Sequence, residues 1–404
     1  MRTATRAESR GVTVPCAAAA THAQSVNRGT TLCEAEQGSG ARGGVRHSMC
    51  DGRRHRQVVA VVARWYLPVV LVLAMVVGVS WPAPGAFLAR TPTESVAIVA
   101  LFFLAGLELH LENVRALVSL WPASLFGVVS ILLITPLIAL LVRFLPVNEF
   151  VGLGITSFAV APTTVSSGVV LVAQGHGNVT LGLLLTVATN LLCVVTIPFL
   201  LPWILASQAR AQKVTANLEP IPVLIQLLYL VLLPLVVGQV VLRAIAVVRR
   251  QVQRRRVALK LISSTLLILL PWMKVSSSVN SLFQLSGYEI LWAALAVIAM
   301  HAVFLAFHAV VASATRMPRD IARAIVIMCS QKTLTVSFAI LATVPSRDAG
   351  IAAIPIVLGH LSQILADAFL VAHWETRDAK EERKLDNHGE RSPEGVPLES
   401  SDTI

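Results

Sequence analysis

Residues 161–168 read Ala-Pro-Thr-Thr-Val-Ser-Ser-Gly and residues 329–333 read Cys-Ser-Gln-Lys-Thr, each inside an otherwise apolar block. A helix facing lipid has no use for a Pro with four hydroxyls, or for an amide beside an ammonium. Lys332 lies about twelve residues from either end of its block, too deep to reach water easily. At that depth a cation costs roughly 2.5 to 3.5 kcal/mol on insertion scales. These two stretches decide how the rest of the chain is read.

Around them the chain falls into blocks near the roughly 20 apolar residues that cross a hydrocarbon core. Of 404 residues, 55% are hydrophobic and only 14% charged, which argues against a soluble globular enzyme. Charged or Pro/Gly-rich breaks delimit ten blocks: 58–79, 94–111, 117–142, 150–173 and 179–205, then 222–248, 257–276, 289–312, 320–344 and 350–373. The expected fold is an all-α membrane protein of ten transmembrane helices. Five spans per half force the second half to enter the membrane inverted, so residues 58–205 and 222–374 read as two inverted repeats joined by a linker at 206–221. The two polar stretches are then the fourth members of the two repeats. Polar interruptions at corresponding positions of inverted halves point to a transporter binding site built on crossed, discontinuous helices 4 and 9. Residues 161–168 alone also fit a Pro-kinked helix whose hydroxyls bond back to the preceding turn.

Net charge is +11, and residues 58–374 carry +10 of it. Eleven basic residues fall in short loops on the side of the N-terminus: Arg115, Arg243, Arg249, Arg250, Arg254, Arg255, Arg256, Lys260, Arg316, Arg319 and Arg323. The opposite side holds five: Arg90, Arg143, Arg210, Lys213 and Arg347. That bias places both termini on the cytosolic or stromal side. It is an orientation signal between apolar blocks, not a nucleic-acid surface.

Residues 1–57 contain nine Arg, no Lys and no apolar block. They read as a disordered tail whose composition fits an organelle transit peptide, a disordered cytosolic tail being the alternative. Residues 375–404, with nine acidic residues against five basic, read as a disordered acidic tail. Cys16, Cys33, Cys50, Cys193 and Cys329 show no metal-ligand spacing and no disulfide framework.

The candidate substrate- and ion-binding residues are Thr163, Thr164, Ser166 and Ser167 in the first stretch, and Ser330, Gln331, Lys332 and Thr333 in the second. Asn190 sits in the middle of the fifth block, lining the same cavity or bonding between helices. In the tenth block His360, Gln363 and Asp367 share one helical stripe, and Asp367 is a candidate partner for Lys332. His301 and His308 form no metal-binding pattern and read as helix-packing residues. No catalytic or metal site is expected.

Further runs are Trp121-Pro122, Leu125-Phe126-Gly127, Ile134-Thr135-Pro136 and Thr186-Val187-Ala188-Thr189-Asn190-Leu191-Leu192. With Pro162 to Gly168 and Ser330 to Leu334, they resemble the bile acid:sodium symporter superfamily. Within it they look like the plant chloroplast sodium/metabolite cotransporters of type 4, a branch similar to animal solute carrier family 10 member 7. The resemblance covers about residues 60 to 374. It implies a panel and a core domain, crossed broken helices and a plastid envelope location. It also implies cations held by side chains and carbonyls around the crossover, including an acidic residue one turn before the ninth-helix Gln. Here that neighbourhood is Ile327 and Met328.

The expected function is a secondary active transporter of an organic anion, working by alternating access and coupled to Na⁺ or H⁺. In the proton-coupled version Lys332 replaces the bound cation. No cofactor is expected beyond the coupling ion, and the partners are a small-molecule substrate and the lipid bilayer. A regulatory membrane protein of the same fold stands as the second class. An intramembrane enzyme would need paired Asp residues or a metal-ligand pattern in its spans, and neither occurs.

Overall fold

In chain order the helices are α1 Val69–Ser80, α2 Pro82–Ala89, α3 Thr93–Glu108, α4 Trp121–Phe144, α5 Glu149–Val160, α6 Ser167–Gln174, α7 Val179–Ala206 and α8 Pro220–Ala244. They continue as α9 Ala246–Arg254, α10 Arg256–Ser277, α11 Val279–Leu282, α12 Gly287–Ala314, α13 Arg319–Ser330, α14 Leu334–Ala342 and α15 Ala353–Gly389. The computed structural model describes residues 69–108, 120–165, 167–208, 219–344 and 347–389, and among these there is no strand. A helix satisfies its own backbone, which is what hydrocarbon demands of a chain this apolar. Among the described residues seven helical stretches are long and apolar enough to cross a membrane, or eight if α1 and α2, bent by 96° at Trp81, count as one.

Local chemistry sets the boundaries. The Asn148 side chain accepts from the Phe150 N–H and the Asn178 side chain from the Leu181 N–H, capping α5 and α7. Ser286 and Glu289 form a reciprocal capping box at the start of α12. Within α4 the turns change from α to π at Ser130–Ile134 and to 3₁₀ at Thr135–Phe144. Pro136 explains the change, because it brings no N–H to the turn before it.

Burial divides the helices into inner and outer. In the apolar 18-residue core of the α13–α14 stretch 94% of the residues are buried, against 17% in that of α10, so the broken helix runs through the middle of the bundle. Outward faces are lined with Phe87, Phe144, Tyr229, Val257 and Phe369, all exposed, as a lipid-facing perimeter requires. Inside, α3 and α8 cross at Gly106 and Gly238, where a methyl on either would collide with a carbonyl of the other helix. Such close approach is how helices associate where water supplies no driving force. Lys274, near the end of α10, pairs with Glu94 on α3 at 2.9 Å.

Blocks four and nine are each interrupted, as the pairs α5–α6 and α13–α14. The helices differ from the sequence expectation in two places. The sixth block ends at Ala244, and a basic amphipathic helix, α9, follows it. The tenth does not stop at residue 373: α15 continues to Gly389 through the first half of the stretch expected to be disordered. Its polar extension docks on α13 through Arg319–Glu381 and Arg323–Asp378 bonds, contacts that composition does not reveal. Residues 1–57, the start of the first block, Arg115, Ser166, Arg210, Lys213 and residues 390–404 lie outside the described residues.

Candidate functional site

The break between α5 and α6 follows from Pro162, which disfavours helical backbone at the residue before it. Ala161 is accordingly extended, with φ −63° and ψ 149°. The break between α13 and α14 contains no Pro, yet Gln331 and Thr333 are also extended. Here the backbone is captured from outside. Gln363 accepts from the Lys332 N–H at 2.9 Å and donates to the Lys332 carbonyl at 2.7 Å, imitating a neighbouring strand. The Thr333 N–H donates to the Pro162 carbonyl at 2.9 Å. The unwound backbone groups thus have partners, the condition for irregular chain at membrane depth.

Side chains tie the two breaks together. The Thr164 hydroxyl donates to Gln331 Oε1 and accepts from the Gly168 N–H. Thr186 and Asn190 of α7 donate to the carbonyls of Thr164 and Thr163 at 3.3 and 3.1 Å. Two buried oxygens at this place, Thr163 Oγ1 and Asn190 Oδ1, have no hydrogen-bond partner among the described residues. An orphaned buried oxygen costs about 1 to 3 kcal/mol, and either of these could accept from a donor or face a cation.

Lys332 is buried and finds partners on α4. Its ammonium donates to the Ile131 carbonyl at 3.0 Å and to Thr135 Oγ1 at 2.9 Å, and lies 5.5 Å from the centre of the Phe304 ring. The π-turn supplies that carbonyl. In π register Thr135 N–H reaches Ser130, and the next donor, which would reach Ile131, is the missing N–H of Pro136. A bond to a charged donor contributes about 1.5 to 3 kcal/mol, so two of them and an aromatic face offset much of the cost of burial.

Asp367 is wholly buried and bonds elsewhere. Its Oδ2 accepts from Gln331 Nε2 at 2.6 Å and its Oδ1 lies 2.9 Å from His301 Nε2. The other ring nitrogen of His301 lies 3.2 Å from the Ser330 carbonyl. His308, two turns along α12, bonds to Ser330 Oγ, Phe304 O and Ser130 Oγ. His360 Nδ1 faces Gln363 Nε2 at 3.1 Å. Asp367 thus brings a carboxylate of α15 beside Gln331, whereas α13 itself has Ile327 and Met328 one turn before that Gln.

Residues 65–376 match the sequence pattern of the SBF-like CPA transporter family. The chain belongs to that family. It is 32% identical over 324 residues to the protein named "Probable sodium/metabolite cotransporter BASS4, chloroplastic" of Arabidopsis thaliana, covering 77% of this chain and 73% of that one. A protein of the same name from Oryza sativa subsp. indica is 29% identical over 328 residues, covering 78% and 76%. Membership of this transporter family accords with a multi-pass membrane protein that handles a small molecule.

Of the candidates named from sequence in this family member, Thr163, Thr164, Asn190, Gln331, Lys332, Gln363 and Asp367 converge on the two breaks. Ser330 joins through its carbonyl and hydroxyl, and Thr333 through its backbone. Ser167 is half-buried at the start of α6, and Ser166 lies outside the described residues. Lys332 and Asp367 are each bonded to other partners, so the expected ion pair between them is replaced by bonds to α4 and α12. The sequence assigns His301 and His308 to helix packing, and Ser130 and Thr135 are not among the site candidates. A signal existed: His301 and His308 are seven residues apart, on one face of an otherwise apolar helix.

Proposed function

We propose that the protein is a secondary active transporter of a small organic anion in the plastid envelope, working by alternating access and coupled to Na⁺ or a proton. The contact between the two breaks carries this reading. Two interrupted helices meet deep in the bundle, beside two buried oxygens without partners, in an arrangement that binds ligands in secondary transporters. A cavity of about 410 Å³ opens at one end of α12, α13 and α15, lined by Arg316, Arg319, Arg323 and Arg377 against Asp378 and Glu381. Its excess of positive charge suits an anion.

Ten spans in two inverted repeats of five, crossing at the fourth and ninth, are part of the proposal. The eight stretches above, α3, and the α5–α6 pair make ten. Arg323 bonds to both the Gly175 carbonyl and Asp378, bringing three predicted same-side segments together, and Glu94 pairs with Lys274 at the predicted opposite side. The relatives' names and the Arg-rich composition of residues 1–57 support the plastid location.

Uptake of a panel of radiolabelled mono-, di- and tricarboxylates into proteoliposomes, with and without an imposed Na⁺ gradient, tests the reading. Accumulation of at least one against its gradient is the expected result. Absence of uptake under Na⁺, proton and potential gradients alike would instead favour a regulatory membrane protein of the same fold.

A further inference from the structure

We propose that His301 and Asp367 together hold one exchangeable proton, and that this proton is the ion coupled to movement of the broken helices; the second half rests on the transport reading above. Counting hydrogens at His301 leads there. Nδ1 lies 3.2 Å from the Ser330 carbonyl, which can only accept, so Nδ1 carries a hydrogen. Nε2 lies 2.9 Å from Asp367 Oδ1. With no hydrogen between them, two lone pairs would face each other in a buried place. One hydrogen therefore sits there, on nitrogen or on oxygen. The pair holds one proton more than a neutral imidazole beside a carboxylate, and is electrically neutral as it stands.

The neighbouring histidines differ in this respect. His308 Nδ1 is 2.7 Å from the Phe304 carbonyl, while its Nε2 is 2.7 Å from Ser130 Oγ, a hydroxyl able to donate. One hydrogen satisfies that ring. His360 Nδ1 faces the amide donor of Gln363, so it needs no hydrogen there. Other titratable groups at the level of the breaks, on the elements packed round the pair, are Cys329 and Lys332, the latter bonded to α4. Glu149, Lys274, Arg323 and Asp378 stand toward the ends of their helices.

Release is balanced simply: the pair gives one proton to water and changes from neutral to a single negative charge. His301 then has one N–H for two acceptors, the Ser330 carbonyl and Asp367. Ser330 is the last residue of α13, and Asp367 holds Gln331 in the break. Losing either bond frees α12 from one side of the break, whereas a bound proton fastens α12 to both. Proton occupancy is thereby tied to how firmly the break is held.

The test uses the full chain in phosphatidylcholine nanodiscs with ¹⁵N-labelled histidine, and proteoliposomes of the same lipid. The His301 signals, assigned by their loss in His301→Gln, should show a protonated Nδ1. They should change together with an infrared carboxyl band that disappears in Asp367→Asn, in a preparation that remains monodisperse. In proteoliposomes free of Na⁺, an inward proton gradient should drive uptake of carboxylates from the panel at least tenfold above the rate without a gradient, and Asp367→Asn should abolish that stimulation. A bare Nδ1, or a His301 signal indifferent to pH and to Asp367→Asn, would overturn the proton site. Uptake that follows Na⁺ and ignores the proton gradient would overturn its coupling role. Failure of the transport reading is recognised separately, as absence of uptake under every gradient, and the wild-type histidine spectrum still decides the proton count.

Discussion

The Thr333 N–H and the Pro162 carbonyl, 2.9 Å apart, join the two broken helices main chain to main chain. Pro162 makes its own break by sterics, and its freed carbonyl then helps to hold the other one open. The two interruptions are therefore one structure, and substitutions on either side should act on both.

Thr164 and Thr163 should separate stability from ligand binding. Thr164 Oγ1 serves both Gln331 and the Gly168 N–H, so Thr164→Val leaves two buried groups unpaired. A loss of about 1 to 3 kcal/mol is expected, read as a lower melting temperature in detergent. Thr163 Oγ1 has no partner among the described residues, so Thr163→Val should keep the melting temperature while reducing uptake at least tenfold. Equal melting temperatures for the two variants would contradict the bonding described.

Lys332→Met should fold. The Ile131 carbonyl keeps the Thr135 hydroxyl at 3.1 Å, and the Met side chain follows the Lys stem against Phe304. Stability should stay within about 1.5 kcal/mol of wild type, the usual range for a volume-conserving change. Anion uptake should fall at least tenfold, because the buried positive charge beside the breaks is gone. Unchanged uptake in Lys332→Met would reduce the ammonium to a structural link between α4 and the break.

How much of this was legible in the sequence depends on the kind of signal. Both breaks are, because a Pro and a Lys inside apolar blocks violate the composition of a lipid-facing helix. The partners are less so. Gln363 and Asp367 stand out as a polar stripe on α15, but which residues they reach depends on helix packing, and Asp367 turns to His301 rather than Lys332. The seven-residue spacing of His301 and His308 puts them on one face of a helix but does not name their partners, so they read as packing residues. The π-turn at Ser130–Ile134 is hidden as well, although Thr135-Pro136 marks where a carbonyl loses its donor. The polar end of α15 reads as disordered because its stability comes from contacts with α13, not from an apolar face.

Gly106→Ala should be among the most damaging small substitutions outside the site. The added methyl would meet the Leu235 carbonyl and Gly238, both backbone, which cannot swing aside as a side chain would. Overpacking of this kind costs about 1 to 3 kcal/mol. Gly287→Ala is the control: no atom lies within 4 Å of the added methyl, so it should be neutral. Thermal unfolding of the two variants in the same detergent decides the point.

The topology offers the last test. Ser207, just after α7, and Arg254, at the end of α9, are expected on opposite sides of the membrane, because α8 crosses between them. Single cysteines at these positions, in a chain whose own cysteines are replaced by Ser or Ala, should react with an impermeant maleimide from opposite faces of sealed vesicles. Cys193 and Cys329 are buried, so their replacements must be small enough to keep α7 and α13 packed. Arg254→Cys should share its side with a cysteine at Arg316, since the loop-charge bias assigns both basic loops to one face. Labelling of Ser207→Cys and Arg254→Cys from the same face would leave an even number of crossings between them. That outcome would remove the inverted repeat and, with it, the argument that the two breaks occupy equivalent places.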